Sequence, residues 1–235
     1  LTAGAFISKQ LNNLKWVHTF HAVEKNRIKY MSADEKNYFK VAQWVESTIS
    51  YTDALIAVSN KIKKEVLQNY LVKDEQVNVI PNGVDSSLFN PENAVQEDKT
   101  VLYVGRFSME KGIDVVAKIA EKVLSSDKEI KFIAVASETN VPSMGKVMEK
   151  FKELSEKYPE RFIWIKKEVS REEIAQLYKK ATICIQPSRY DSCPLCVIEA
   201  MACGKTVIGS SRGGIPEIID KAGIVIPFDS NLFSK

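Results

Sequence analysis

Short apolar runs alternate with longer amphipathic stretches along most of the chain. Residues 54–58 (ALIAV) are too few for a helix core and show no polar alternation, the pattern of a strand buried on both faces. Residues 15–20 (KWVHTF) read as a strand that ends at His21. Residues 34–51 repeat with helical period, placing Tyr38, Val41, Ala42, Val45 and Ile49 on one face. Ser59 is a good cap for a helix over residues 61–70. Residues 77–80 form a further strand, stopped by Pro81-Asn82-Gly83. Residues 84–99 have few apolar positions and no period, so they read as a linker.

Beyond residue 99 the pattern becomes regular. Strands are predicted at 100–104, 131–135, 162–165, 182–186, 206–209 and 224–226. Between them helices are predicted near 113–124, 144–158, 171–179 and 194–203, with a short one at 215–219. Strands alternating with helices imply a parallel sheet with helices on both faces. Ligands of such sheets bind beyond the carboxyl ends of the strands, so the loops there are the places to look for chemistry.

Composition narrows the field. The chain has 235 residues, 45% hydrophobic and 27% charged, with net charge +3. Cations outnumber acids 11 to 9 in residues 1–85 and 22 to 21 after them. Neither part is a basic arm, so nucleic acid is not an expected partner. No apolar run approaches the roughly 20 residues of a membrane helix. The cysteines (Cys184, Cys193, Cys196 and Cys203) fall within one short stretch and cannot staple distant parts of the chain. They suggest the reducing cytoplasm. Cys193 and Cys196 have CxxC spacing, but zinc needs about four ligands and no histidine is near in sequence. Packing is the better reading for them.

Three loops carry candidate chemistry. The first, Gly105-Arg106-Phe107-Ser108-Met109-Glu110-Lys111-Gly112, follows a strand, holds two cations and opens a helix. Backbone N–H groups, the helix dipole, a guanidinium fork and a mobile ammonium suit a diphosphate, while a glycine-bounded turn with two solvated cations is the alternative. The second, PSRYDSCPLCVIEAMACG from Pro187, sets Asp191 before a helix start and Glu199 in its second turn. Pro194 fits that start because it has no N–H to leave unpaired. Two carboxylates suit a hydroxyl-rich ligand such as a sugar ring. A plain cap at Asp191 and a solvated face at Glu199 are the alternatives. The third, 210–217, has Gly213 and Gly214 before a helix, with Glu217 in its first turn offsetting the dipole. His21, at a strand end, can meet a sugar hydroxyl or a developing charge. His18, inside the strand, reads as structural.

Together these pieces resemble the retaining glycosyltransferases of family 4, which have the two-Rossmann-domain fold called GT-B. The matching pieces are HTFHA at 18–22, ALIAVSNKIKKEV at 54–66, VIPNGVD at 79–85, VLYVGRFSMEKG at 101–112, PSRYDSCPLCVIEAMACGKTVIGSS at 187–211 and GGIPEII at 213–219. The resemblance implies an α/β GT-B fold: a Rossmann-like parallel sheet with helices on both faces, plus part of a second Rossmann-like domain. Residues 1–84 would be the later part of the acceptor-side domain, 85–99 a linker, and 100–235 the domain that binds the nucleotide-sugar donor. The chain would then be a fragment, beginning midway through the first domain and stopping before the helices that return to it.

The resemblance also implies roles. Arg106 and Lys111 would hold the donor diphosphate. Glu199 would take the donor ribose and Asp191 would lie near the donor sugar. Backbone amides at Leu195, Cys196 and Val197 would face the phosphate or the sugar, with Gly105 beside them. His21 would reach the reacting sugar from the other domain. The reaction implied is transfer of a sugar from a nucleoside diphosphate sugar to an acceptor hydroxyl with retained anomeric configuration. No cofactor and no essential metal are expected, since no Asp-x-Asp motif occurs. The acceptor would be a sugar, a lipid-linked sugar or a small molecule, with peripheral membrane contact left open. A GT-B epimerase, or a fragment that binds sugar nucleotide without turnover, remains the alternative. Departures from the family pattern are Asp at 191, where Glu is usual, and Cys193-Pro194-Leu195, where Phe-Gly-Leu is common.

Overall fold

The computed structural model describes residues 8–11, 14–30, 46–94, 97–137 and 144–228. Two parallel sheets organise them. The smaller contains β1 (Val17–Phe20), β2 (Ala54–Ala57) and β3 (Val77–Val79), in that spatial order. Helix α1 (Glu24–Arg27) follows β1, and α2 (Asn60–Asn69) joins β2 to β3. Ser59 caps α2 as its position suggests, its hydroxyl accepting from the Ile62 amide at 3.2 Å.

The larger sheet has the spatial order β6-β5-β4-β7-β8-β9, all parallel. Its strands are β4 (Thr100–Val104), β5 (Lys131–Val135), β6 (Phe162–Ile165), β7 (Ile183–Gln186), β8 (Thr206–Ser210) and β9 (Ile224–Ile226). The crossovers are α3 (Ile113–Ser126), α4 (Gly145–Lys157), α5 (Arg171–Lys180), α6 (Leu195–Ala202) and α7 (Ile215–Ile219). The chain winds outward from β4 to β6, then returns to add β7 on the other side. The switch point therefore lies between β4 and β7, where a doubly wound sheet opens a crevice.

Both faces of this sheet are covered. On one, α3 and α4 pack Phe151 against Phe107 and Trp164, with ring centroids 5.1 and 5.0 Å apart. On the other, α5, α6 and α7 enclose Leu102, Cys184, Val197 and Val207. Continuous apolar strands are what burial on both faces requires. Helix α5 carries a full capping box: Ser170 Oγ accepts from the Glu173 amide (3.2 Å) and Glu173 Oε2 from the Ser170 amide (2.9 Å).

Three sequence expectations change. Of the helix expected over 34–51, residues 34–45 lie outside the described residues, and Ser47–Tyr51 is a 3-10 helix. Pro194 caps α6 from outside, in extended conformation, and the helix begins at Leu195. The stretch read as a linker is anchored, because Phe89 is fully buried and packs edge-on against Tyr178, 6.1 Å between centroids. A single aromatic in a polar segment gives no periodicity, so the pattern could not show this anchor.

Candidate active site

The loops after β4 and β7 meet at the switch point, and two glycines permit the meeting. Gly112 has φ +71°, and a Cβ there would collide with the Pro187 carbonyl. Gly213, after β8, has φ +61°, and a Cβ there would strike the Asp191 carbonyl. Both positions need a residue without a Cβ that tolerates positive φ. The Glu110 carbonyl accepts the amides of Arg189 (2.8 Å) and Tyr190 (3.3 Å), and the Asp191 carbonyl accepts the Gly214 amide (2.8 Å). Three loops are thus fixed to one another by backbone bonds alone.

Within this frame Lys111 Nζ donates to Asp191 Oδ2 at 2.6 Å, with side chains 16% and 8% exposed. Ser188 Oγ lies 3.4 Å from the same Oδ2 and receives Gln186 Nε2 at 2.7 Å. Glu199 is buried in α6, accepting from Arg171 Nη2 at 2.9 Å and from the Tyr178 hydroxyl at 3.5 Å. Arg106 is turned along its own loop to Glu110, 2.9 Å away, and 57% of its side chain is exposed. The Val197 amide turns back to the Pro194 carbonyl at 3.2 Å. Leu195 and Cys196 therefore hold the first orphan amides of α6.

A cavity of about 620 Å³ opens between the loop after β4 and the start of α5. Gly105, Arg106, Ser108, Ser137, Lys167 and Val169 are among its lining residues. The buried Ser108 hydroxyl has no hydrogen-bond partner among the described residues. His21 is exposed immediately after β1. The His18 ring packs edge-on against Phe20, 4.7 Å between centroids, and burial followed by the charge of His21 lowers its pKa.

Burial raises the Cys196 thiol well above its ordinary range, and Cys184 is pushed up to about 12. All four cysteines are free, and no group of three or more potential metal ligands occurs among the described residues. These are inert packing thiols.

Some partners escaped the sequence reading. The Tyr190 hydroxyl donates to Glu65 Oε2 (2.9 Å) and accepts from the Val23 amide (3.2 Å), tying the loop after β7 to the smaller sheet. Glu217 serves the other lobe rather than only its own helix, taking the Asn60 amide at 2.8 Å and the Lys61 amide at 2.7 Å. It thereby satisfies orphan donors at the start of α2. Arg27 forks onto Glu110 from the end of α1 at 3.0 and 3.2 Å. Only the motif positions themselves, PSRYDS and GGIPE, hinted that Tyr190 and Glu217 matter.

A doubly wound six-stranded sheet, its switch-point loops docked on a second parallel sheet, defines a GT-B glycosyltransferase architecture. The chain belongs to the glycosyl transferases group 1 family: residues 85–232 match that family, and residues 1–88 match glycosyltransferase family 4. It is similar to the alpha-maltose-1-phosphate synthase of Mycolicibacterium smegmatis, 25% identical over 209 residues, covering 82% of this chain and 53% of the relative. It is also similar to the D-inositol 3-phosphate glycosyltransferase of Corynebacterium jeikeium, 23% identical over 239 residues, with 94% and 57% covered. The chain spans about half the length of these curated relatives. Among solved structures, the sucrose-phosphate synthase of Thermosynechococcus elongatus superposes with TM-score 0.74 and 28% identity, covering 99% of this chain and 61% of that one. Anabaena HepE in complex with UDP-glucose gives TM-score 0.74 at 18% identity, covering 99% and 65%. Among the described residues no helix is long and apolar enough to cross a membrane.

Proposed function

We propose that this chain carries the donor site of a retaining glycosyltransferase that moves a hexose from a nucleoside diphosphate sugar to an acceptor hydroxyl. The observation that supports it most is the Lys111–Asp191 pair at the switch point, with Arg106 lining the adjoining cavity that also holds the orphan Ser108 hydroxyl. A neighbour solved with UDP-glucose supplies the donor class carried over here. The nucleoside lies in the 620 Å³ cavity, against Gly105 and the loop through Lys167. The diphosphate lies at its mouth, between Arg106, Lys111 and the amides of Leu195 and Cys196. Glu199 accepts from the ribose, Asp191 orients the donor sugar with Lys111, and His21 approaches that sugar from the other lobe.

In the reaction the bond from the sugar C1 to the β-phosphate oxygen breaks, and its electron pair leaves with the phosphate. The acceptor oxygen bonds to C1 on the same face, and its proton passes to the departing phosphate. Arg106, Lys111 and the start of α6 stabilise the charge that develops there. These cations do the work that a divalent metal does in other transferases, so the proposed chemistry needs neither metal nor cofactor. The acceptor is a sugar, a lipid-linked sugar or a small molecule, reached in the cytoplasm, with peripheral membrane contact where the acceptor is a lipid.

Calorimetric titration with UDP, GDP and ADP tests the donor site. At least one should bind, and Arg106→Ala should weaken it at least about tenfold, the scale of a charge-assisted phosphate contact. A chain that binds none of the three contradicts the proposal.

A further inference from the structure

Glu110 lies between the two cations of the loop after β4 and has no role in the reading above. Its carboxylate is buried. Oε1 accepts Arg27 Nε at 3.0 Å and Oε2 accepts Arg27 Nη2 at 3.2 Å, a fork from the other lobe. The same Oε2 accepts Arg106 Nη2 at 2.9 Å. The Glu110 carbonyl is meanwhile fixed to the loop after β7 through Arg189 and Tyr190. Glu110 is therefore held on both its backbone and its side chain, whereas Arg106 is largely exposed at the cavity mouth.

A guanidinium has five donors, and Glu110 takes one from Arg106. The remaining four stay available to an anion. Glu24 completes the cluster, accepting Arg27 Nη1 at 3.2 Å. Arg27 offsets the charge of Glu110, and the two guanidinia and two carboxylates sum to zero, so the cluster as a whole presents no net negative charge to a diphosphate. Burial alone would raise the Glu110 pKa, but hydrogen bonds and charge from Arg27, followed by Lys111 and Arg106, hold it below its ordinary value.

We propose that Glu110 is a positioning residue for the donor diphosphate: it aims the Arg106 guanidinium across the cavity mouth, and Arg27 of the other lobe supplies the charge that makes this tolerable. The inference rests on the donor-site reading and adds a dependence that reading lacks. Affinity for the diphosphate responds to a side chain in the lobe that does not hold the nucleotide. When Arg27 moves away, Glu110 is left to compete with the diphosphate for Arg106.

The test uses the 235-residue chain, its Glu110→Gln and Arg27→Met variants, Arg106→Ala, and the Arg106→Ala/Glu110→Gln double variant. UDP, GDP and ADP are titrated, then the monophosphate of the nucleotide that binds tightest, with thermal melting to confirm folding. Glu110→Gln should weaken the diphosphate about tenfold and the monophosphate less than about twofold, the loss expected from misaiming one charge-assisted contact. Arg27→Met should give a smaller loss of the same selective kind. Adding Glu110→Gln to Arg106→Ala should cost nothing further, because both act through one guanidinium. Equal losses for diphosphate and monophosphate, additive losses in the double variant, or no loss at all overturn the proposal. Should Glu110→Gln not fold, Arg27→Met decides by the same selectivity. A parent chain that binds no diphosphate refutes the donor reading itself, and this inference with it.

Discussion

The Lys111–Asp191 pair and the Arg106–Glu110 pair begin on the same loop, five residues apart, and have nearly equal charge chemistry. They differ in where the cation sits. Lys111 is largely buried and reaches an aspartate on another strand's loop, whereas Arg106 lies more than half exposed against a buried glutamate. Arg171–Glu199 repeats the second arrangement, with the arginine 56% exposed and the glutamate buried. A buried pair fixes the geometry of the loops that carry it, because either charge left alone has no solvent to turn to. An exposed guanidinium can keep one donor on its buried carboxylate and turn its remaining donors to a ligand. The inner pair shapes the crevice, and the outer arginines are the groups free to answer what enters it.

The sharpest way to break this comparison is to remove one cation of each kind. Lys111→Met strands the Asp191 carboxylate and should destabilise the chain by about 3–5 kcal/mol in urea melts, the usual cost of halving a buried pair. Arg106→Ala should cost less than about 1 kcal/mol by the same measurement, since Arg106 is more than half exposed and the buried Glu110 keeps the fork from Arg27. Equal costs would show that the two pairs do not differ as described.

A smaller effect concerns the other lobe. Burial pushes the Glu46 carboxyl up to about 7 against the opposing hydrogen bond from Tyr70. An acid raised on folding contributes stability that is full below its ordinary value of 4.5 and lost as pH climbs through about 7. Melting temperature should therefore fall across that window, and Glu46→Gln should flatten the profile. A profile unchanged by Glu46→Gln would remove Glu46 as its source.

The fold was legible because most strands are short apolar runs, and β2, β3, β4, β7 and β9 are closed within two residues by a glycine, a proline or a capping residue. Strands β4, β5 and β6 and helix α7 fall where the pattern puts them. The candidate residues were legible as positions on loops at strand ends. Their partners were not. Arg27 and Glu110 are 83 residues apart, and Tyr190 and Glu65 are 125 apart. Periodicity records which face of an element is apolar, not which charge from another element will meet it. Glu217 shows the limit best: its place in a first turn suggested a dipole partner for α7, and the fold also sends it to cap α2.

The most direct measurement is a crystal structure of the chain with the nucleoside diphosphate that binds it tightest. The diphosphate is predicted to lie within hydrogen-bond reach of Arg106, Lys111 and the amides opening α6, with the ribose on Glu199. A nucleotide bound elsewhere, or bound with these groups turned away from it, would contradict the donor site proposed here.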